Sequence, residues 1–188
     1  FEGRLIVANA KDLVKSNVKR SYDGVITSPP YLNGTNYIRN TKLELWFCEH
    51  IGLNGLGLRD YRNEVITSAI NDVSKDSSID CPPEASLTVK KISKNCYDSR
   101  IPKMVSEYFK QMESVFLGLK KHCRSGAPIC IDIGDSVYNG VHVKTDKIFI
   151  KQMDRLGFSI EKDIFLRKRT SNKGAPLSQH LLVFRNNS

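Results

Sequence analysis

The chain lacks the marks of a membrane protein and of a disulfide-stapled secreted one. No apolar run approaches the roughly 18–20 residues that cross a bilayer, and no signal-peptide core is visible. The five cysteines, Cys48, Cys81, Cys96, Cys123 and Cys130, include no CxxC pair, which disfavours a disulfide framework and a zinc site alike. His50, His122, His142 and His180 are scattered without ligand spacing, so no metal is expected. Cys130, inside the apolar run 128–133, reads as a small buried hydrophobe. These absences predict a soluble protein in a reducing, cytoplasmic setting with no membrane partner. No internal repeat is present. The sequence opens on Phe1 rather than Met, which leaves room for a preceding segment.

What is present is an ordinary globular composition over 188 residues, 40% hydrophobic and 26% charged. The length favours one domain over residues 1–188 with a sizeable core. Lys and Arg number 29 against 20 acids, a net charge of +9. An excess of this size suits a polyanionic partner, nucleic acid ahead of a membrane surface, or else a basic solvated surface.

Apolar patterning predicts a strand at 4–7, a short helix at 11–19 and a strand at 23–27, which Ser28-Pro29-Pro30 must end because proline cannot donate to a ladder. Residues 41–50 have helical spacing. Residues from about 52 to 98, glycine-rich and then polar, read as an insertion or mobile loop, partly helical at most. Amphipathic helices follow at 103–123 and at 145–156, the second capped by Thr145. Strands are predicted at 127–133, 159–169 and 180–185. The alternation predicts a layered, mainly parallel α/β sheet, with the closing pair antiparallel.

The informative stretch is Asp23-Gly24-Val25-Ile26-Thr27-Ser28-Pro29-Pro30-Tyr31. It puts a rigid polar turn at the carboxyl end of a buried strand, where open α/β sheets keep their sites. Ser28 offers a hydroxyl oxygen, two proline rings fix the direction of the Pro29 carbonyl, and Tyr31 adds a flat aromatic face. Two acceptors beside a stacking ring suit a planar heterocycle that carries an exocyclic NH₂.

Thr27–Tyr31 resembles the catalytic motif of the amino-group DNA methyltransferases, Asp/Asn/Ser-Pro-Pro-Tyr/Phe, in its serine form. Residues 33–37 and Glu44-Leu45-Trp46 resemble the region after that motif, and the resemblance runs more weakly through 129–136 and 181–184. It implies transfer of a methyl group from S-adenosylmethionine to an exocyclic amine of a flipped DNA base. N4 of cytosine is favoured over N6 of adenine, because the serine form is commoner among cytosine enzymes. Ser28, Pro29, Pro30 and Tyr31 would be the catalytic residues, with serine an acceptor and not a nucleophile. A restriction–modification setting is implied as well.

The cofactor half departs from the family. Its Phe-x-Gly-x-Gly turn is absent, and the glycines between Gly52 and Gly57 follow a predicted helix rather than a strand. Residues 4–9 resemble the family's third strand, which would place Asn9 and Ala10 at the cofactor; the same pair also reads as a plain strand-to-helix turn. The expected fold is therefore a Rossmann-like methyltransferase sheet of order 3-2-1-4-5-7-6, of which this chain holds the C-terminal, catalytic portion. The first cofactor-binding strands would come from an upstream segment or a second chain. Tyr37, Arg39, Lys42, Arg59, Arg62, Arg167, Lys168, Arg169 and Lys173 are candidate nucleic-acid contacts, or solvated charges. Asp132 and Asp135 are placed to line the pocket, Asp135 alternatively to cap a turn. An RNA amino-methyltransferase and a non-catalytic DNA-binding subunit are the alternative functions.

Overall fold

The computed structural model describes residues 3, 6, 8–16, 22–33, 35–48, 52, 57–74, 78–94, 96–171 and 173–187, with only the backbone of residue 59. Most of the strand expected at 4–7, the end of the helix expected at 11–19, His50 and most of the glycine stretch at 52–57 lie outside these residues.

Strand β2 (Pro128–Gly134) buries Ile129, Ile131 and Ile133 completely on one face. Cys130 and Asp132 alternate onto the other face, as the two-residue period of a strand requires. Cys130 is therefore half-buried rather than a core residue. β2 pairs in parallel with β1 (Val25–Thr27) and antiparallel with β6 (Pro176–Asn186), which pairs antiparallel with β5 (Phe158–Thr170). The four-stranded sheet has the order β1-β2-β6-β5. The closing pair is antiparallel as expected, but because β6 lies between β2 and β5 only β1 and β2 pair in parallel, so the sheet is mixed rather than mainly parallel.

The longest helix, α5 (Arg100–His122), covers one face of this sheet. Ile101, Met104, Val105, Tyr108, Phe109, Met112 and Phe116 recur at three- and four-residue steps and are fully or almost fully buried. Pro102 sits in its first turn, where no backbone N–H is required. Helix α6 (Thr145–Arg155) adds Ile148, Phe149 and Met153. Phe149 meets Tyr108, Phe109 and Phe116 at ring separations of 6.1, 6.0 and 5.0 Å, the geometry in which aromatic pairs attract. Thr145 is the first helical residue and not the cap; Lys144 holds the cap position without a side-chain bond, and the Thr145 hydroxyl is buried.

The region expected to be a loop is more ordered than its composition implied. Helices α1 (Tyr37–Asn40) and α2 (Lys42–Phe47) precede it, and α3 (Leu58–Glu64) and α4 (Pro83–Lys94) lie within it. Ala85, Val89 and Ile92 of α4 enter the main core. One apolar residue per turn, between lysines, is enough to dock a helix already flanked by α5 and α6, and that sparse signal reads as loop in isolation. A hairpin of β3 (Ser136–Tyr138) and β4 (Val141–Val143) also stands where only a strand end was expected. It turns on Asn139-Gly140, both at positive φ, the pairing that matches strand twist.

Among the described residues, the second sheet face is uncovered at the β1 edge. Ile26, Cys130, Val183 and Lys162 form one cross-strand row there, and Ile26 is 90% exposed.

Candidate active site

Consecutive prolines leave Ser28–Tyr31 without two backbone donors, so the turn must be held by side chains. The structure supplies them from three elements. Tyr108, at the buried face of α5, donates its hydroxyl to the Pro30 carbonyl at 2.9 Å. The Leu32 carbonyl accepts from Ser136 Oγ and from the Tyr138 hydroxyl at 3.3 Å, both on β3. The Tyr31 N–H points to the Tyr37 hydroxyl at 3.4 Å. Pro29 is buried, whereas Ser28 faces solvent at the carboxyl end of β1.

Tyr31 is locked at its other end. Its hydroxyl donates to Asp132 Oδ1 at 3.0 Å and accepts from Gln179 Nε2 at 2.8 Å. Gln179 Nε2 also reaches both Asp132 oxygens at 2.7 and 2.9 Å, and Gln179 Oε1 accepts from Arg167 Nε at 2.8 Å. The Arg169 guanidinium lies 5.3 Å from the centre of the Tyr31 ring, within cation–π range. Burial pushes the Tyr31 phenol above its ordinary value; the nearby Ser28 hydroxyl opposes this, Asp132 reinforces it, and Arg169 opposes it. Gly134 is the floor of the cluster. A Cβ there would stand 2.0 Å from Arg169 Nη1 and 3.5 Å from the Tyr31 ring.

Beside this cluster opens a cleft of about 400 Å³, lined among others by Asn33, Thr35, Tyr97, Tyr138, Arg169 and Lys173. Its walls are polar and one side is cationic, which suits an anionic, hydrogen-bonding ligand.

The structure gathers some of the expected residues and disperses others. Ser28, Pro29, Pro30, Tyr31, Asp132, Arg167 and Arg169 converge, Tyr37 touches the turn, and Lys173 lines the cleft. Arg39, Lys42 and Lys168 are exposed elsewhere on α1, α2 and β5. Arg62 is half-buried on α3, and the Arg59 side chain lies outside the described residues. Asp135 takes the structural option. Almost fully buried, it accepts from the Ser178 N–H at 2.7 Å, from the Ser178 hydroxyl at 3.1 Å and from His142. Asn9 also has structural work: its oxygen accepts from the Lys11 N–H at 3.0 Å and its amide donates to the Glu64 carbonyl at 3.0 Å.

Gln179, Tyr108 and Tyr138 were not legible as site residues. A polar Gln at an inward position of an otherwise apolar strand was the available signal for the first. The structure also brings His180 together with Asp146 and Asp163, ligand atoms all within 4.8 Å, which scattered sequence positions conceal. Lys147 already bridges that group, 2.8 Å from Asp163 and 3.5 Å from Asp146.

The curated proteins that this chain resembles are of one class, the Type II methyltransferases. Two are named M.AvaI, from a Nostoc species and from Anabaena variabilis, each 28% identical over 181 residues, covering 85% of this chain and 35% of the relative. A third, M.BsoBI from Geobacillus stearothermophilus, is 24% identical over 186 residues, covering 85% and 36%. The chain thus spans about a third of the length of the curated relatives it matches. No family model matches it. The mixed sheet is compatible with a methyltransferase fold, and no helix among the described residues is long and apolar enough to cross a membrane.

Proposed function

We propose that this chain is the catalytic portion of a site-specific DNA methyltransferase acting on an exocyclic amine, N4 of cytosine ahead of N6 of adenine. The observation that carries the reading is the Ser28–Tyr31 turn. It is pinned at Pro30 by Tyr108 and at Tyr31 by Asp132 and Gln179, and Ser28 remains open to solvent at the end of β1. The similarity to Type II methyltransferases supports it, as does the strand order β1-β2-β6-β5, which reads as the 4-5-7-6 run of the family sheet.

In this reading a flipped base stacks on Tyr31, and its amine donates to the Ser28 hydroxyl and the Pro29 carbonyl. Those bonds draw the amine lone pair out of conjugation with the ring and leave it nucleophilic. The contribution of the chain is position and fixed dipoles rather than a covalent intermediate. Arg167, Arg169 and Lys173 offer positive charge to the neighbouring phosphates, and exposed Arg39, Lys42 and Lys168, with half-buried Arg62, extend that field.

S-adenosylmethionine supplies the methyl group in such enzymes. Asn9 and Ala10 are the residues of this chain proposed to meet it: the Asn9 amide is bonded once at each end within the protein and keeps a second lone pair and a second N–H. The rest of the cofactor cradle is assigned to the part of the protein represented in the longer relatives but not in this chain, packed along the β1 edge at Ile26, which the described residues leave uncovered.

The test supplies methyl-labelled S-adenosylmethionine and mixed-sequence DNA to the whole protein and digests the DNA to nucleosides. Label in N4-methylcytosine is expected, reduced tenfold or more by Tyr31→Ala, since one base-to-aromatic stack is worth about 1–3 kcal/mol. DNA that binds but stays unlabelled refutes the reading.

A further inference from the structure

We propose that the cleft between the β3–β4 hairpin and the β5–β6 turn is a second nucleotide subsite, separate from the Ser28–Tyr31 turn: Tyr97 stacks on the base of an unpaired nucleotide, and Arg169 and Lys173 hold its phosphate. The inference deepens the methyl-transfer reading, in which the base to be methylated leaves the duplex, and rests on that reading for the source of an unpaired neighbour.

The cleft, of about 400 Å³, falls within the range of small-molecule sites, roughly 300–1,000 Å³. Its lining holds two cations, Arg169 and Lys173, and no acid among the described residues. Arg169 has no carboxylate partner there either. It rests on the Tyr31 ring, 5.3 Å from its centre, with Nη1 buried and bonded to nothing. A buried N–H without an acceptor is costly. The cleft is where a ligand can bring that acceptor, and a phosphate is an anion whose oxygens suit a guanidinium.

Tyr97 supplies the other half. Its side chain lines the cleft and is 76% exposed. An aromatic face left open beside basic side chains is the arrangement that binds single-stranded nucleic acid, because every base has a π-face to stack. A paired base keeps its faces within the duplex. An intact duplex could therefore use Arg169 and Lys173 through its backbone, but not Tyr97. Asn33, Thr35 and Thr170 offer further donors and acceptors along the same walls.

The position points to one nucleotide. Arg169 borders both the Tyr31 ring and the cleft, so a phosphate held by it joins a flipped base on Tyr31 to a base on Tyr97. The occupant is thus the neighbour of the target on the same strand. The walls that receive it are already braced. Ser136 and Tyr138 donate to the Leu32 carbonyl on the hairpin side. On the turn side the Ser171 hydroxyl accepts from the Ala175 N–H, and the Ser171 N–H donates to the Ala175 carbonyl, each at 2.9 Å. Little ordering remains to oppose binding.

Fluorescence anisotropy on the whole protein tests the proposal, with a short labelled single strand of mixed sequence and the matching duplex. Tyr97→Ala is expected to weaken single-strand binding at least about fivefold, the lower end of what one base–aromatic stack contributes, and to leave the duplex within about twofold. Tyr97→Phe should keep wild-type affinity. Lys173→Gln is expected to weaken both and to lower the salt dependence by about one phosphate contact. The exposed Tyr97 lies outside the core, so its variants probe the cleft and not the fold. Wild-type protein that ignores single strands, or Tyr97→Ala losses equal on strand and duplex, overturns the proposal.

S-adenosylhomocysteine is the other ligand that joins a base to an anion, an adenine to a carboxylate. By calorimetry, Tyr97→Ala is expected to leave its affinity within about twofold; a larger loss gives the cleft to the cofactor and overturns the proposal. Neither measurement needs methyl transfer. A whole protein that binds DNA without labelling it removes the proposed function, and the strand measurements still decide the cleft.

Discussion

Replacement of Tyr108 by Phe deletes one oxygen from the core and tests how the Ser28–Tyr31 turn is held. Tyr108 is fully buried on α5, and its hydroxyl gives the Pro30 carbonyl its hydrogen bond, 2.9 Å long. No backbone N–H in the proline pair can take its place. The variant keeps the ring, so its stacking on Phe149 and its edge contact with Phe109 survive. The loss is therefore a half-buried acceptor left unpaired, worth about 1–3 kcal/mol. With a urea slope of about 2 kcal/mol/M, the unfolding midpoint should fall by about 0.5–1.5 M. Tyr138→Phe is the control: the Leu32 carbonyl that it serves keeps Ser136 as a second donor, so its midpoint should fall by less than half as much. Urea titration followed by far-UV circular dichroism measures both. Equal shifts, or an unmoved midpoint for Tyr108→Phe, would show that the turn is held by its own proline rings and that the hydroxyl contributes nothing.

Three further outcomes are expected. Gly134→Ala should weaken DNA binding in a filter assay at little cost in stability, because the added Cβ would lie 2.0 Å from Nη1 at the movable end of the Arg169 side chain and would push it aside; unchanged binding would dissociate Arg169 from the site. Burial raises the Glu84 carboxyl, but hydrogen bonding and charge from Arg155 outweigh it and hold the group below its ordinary 4.5. Its stabilising contribution is thus complete above that value and lost as pH falls below it, so Glu84→Gln should flatten the acid limb of thermal stability and leave neutral-pH stability within about 1 kcal/mol. Ile26→Lys should leave the unfolding midpoint of the 188-residue chain unchanged, because the side chain is 90% exposed, yet abolish activity of the whole protein; retained activity would refute a neighbour packed at the β1 edge.

The parts legible in the sequence were those fixed by strong local patterns. The alternation through 128–134, the stripe along 100–122 and the proline stop after Thr27 each point to one structure, and the motif falls at a strand end. The misses have separate causes. Helix α4 shows only Ala85, Val89 and Ile92 to the core, too few apolar residues to declare a helix without its neighbours. Asn139-Gly140 is a strong hairpin signal, but it is flanked by strands of three residues each, too short to show alternation. Gln179 and Asp132 come together only because β6 inserts between β2 and β5, which no local pattern dictates. Asn9 was ambiguous for a plain reason: an Asn after an extended stretch caps a helix as readily as it meets a ligand, and here its side chain takes the cap bond from the Lys11 N–H.

The lock on Tyr31 spans the chain. Asp132 is 101 residues from it and Gln179 is 148. Contacts of such range must overcome the entropy of closing long loops, while β5 and β6 meet across a short turn. The β5–β6 ribbon therefore orders early, and the tyrosine is captured late. On the ribosome the Ser28–Tyr31 turn emerges well before β6 and stays unlocked until β6 follows. A transcript cut short before β6 thus yields a protein that carries the complete motif without the lock on its tyrosine.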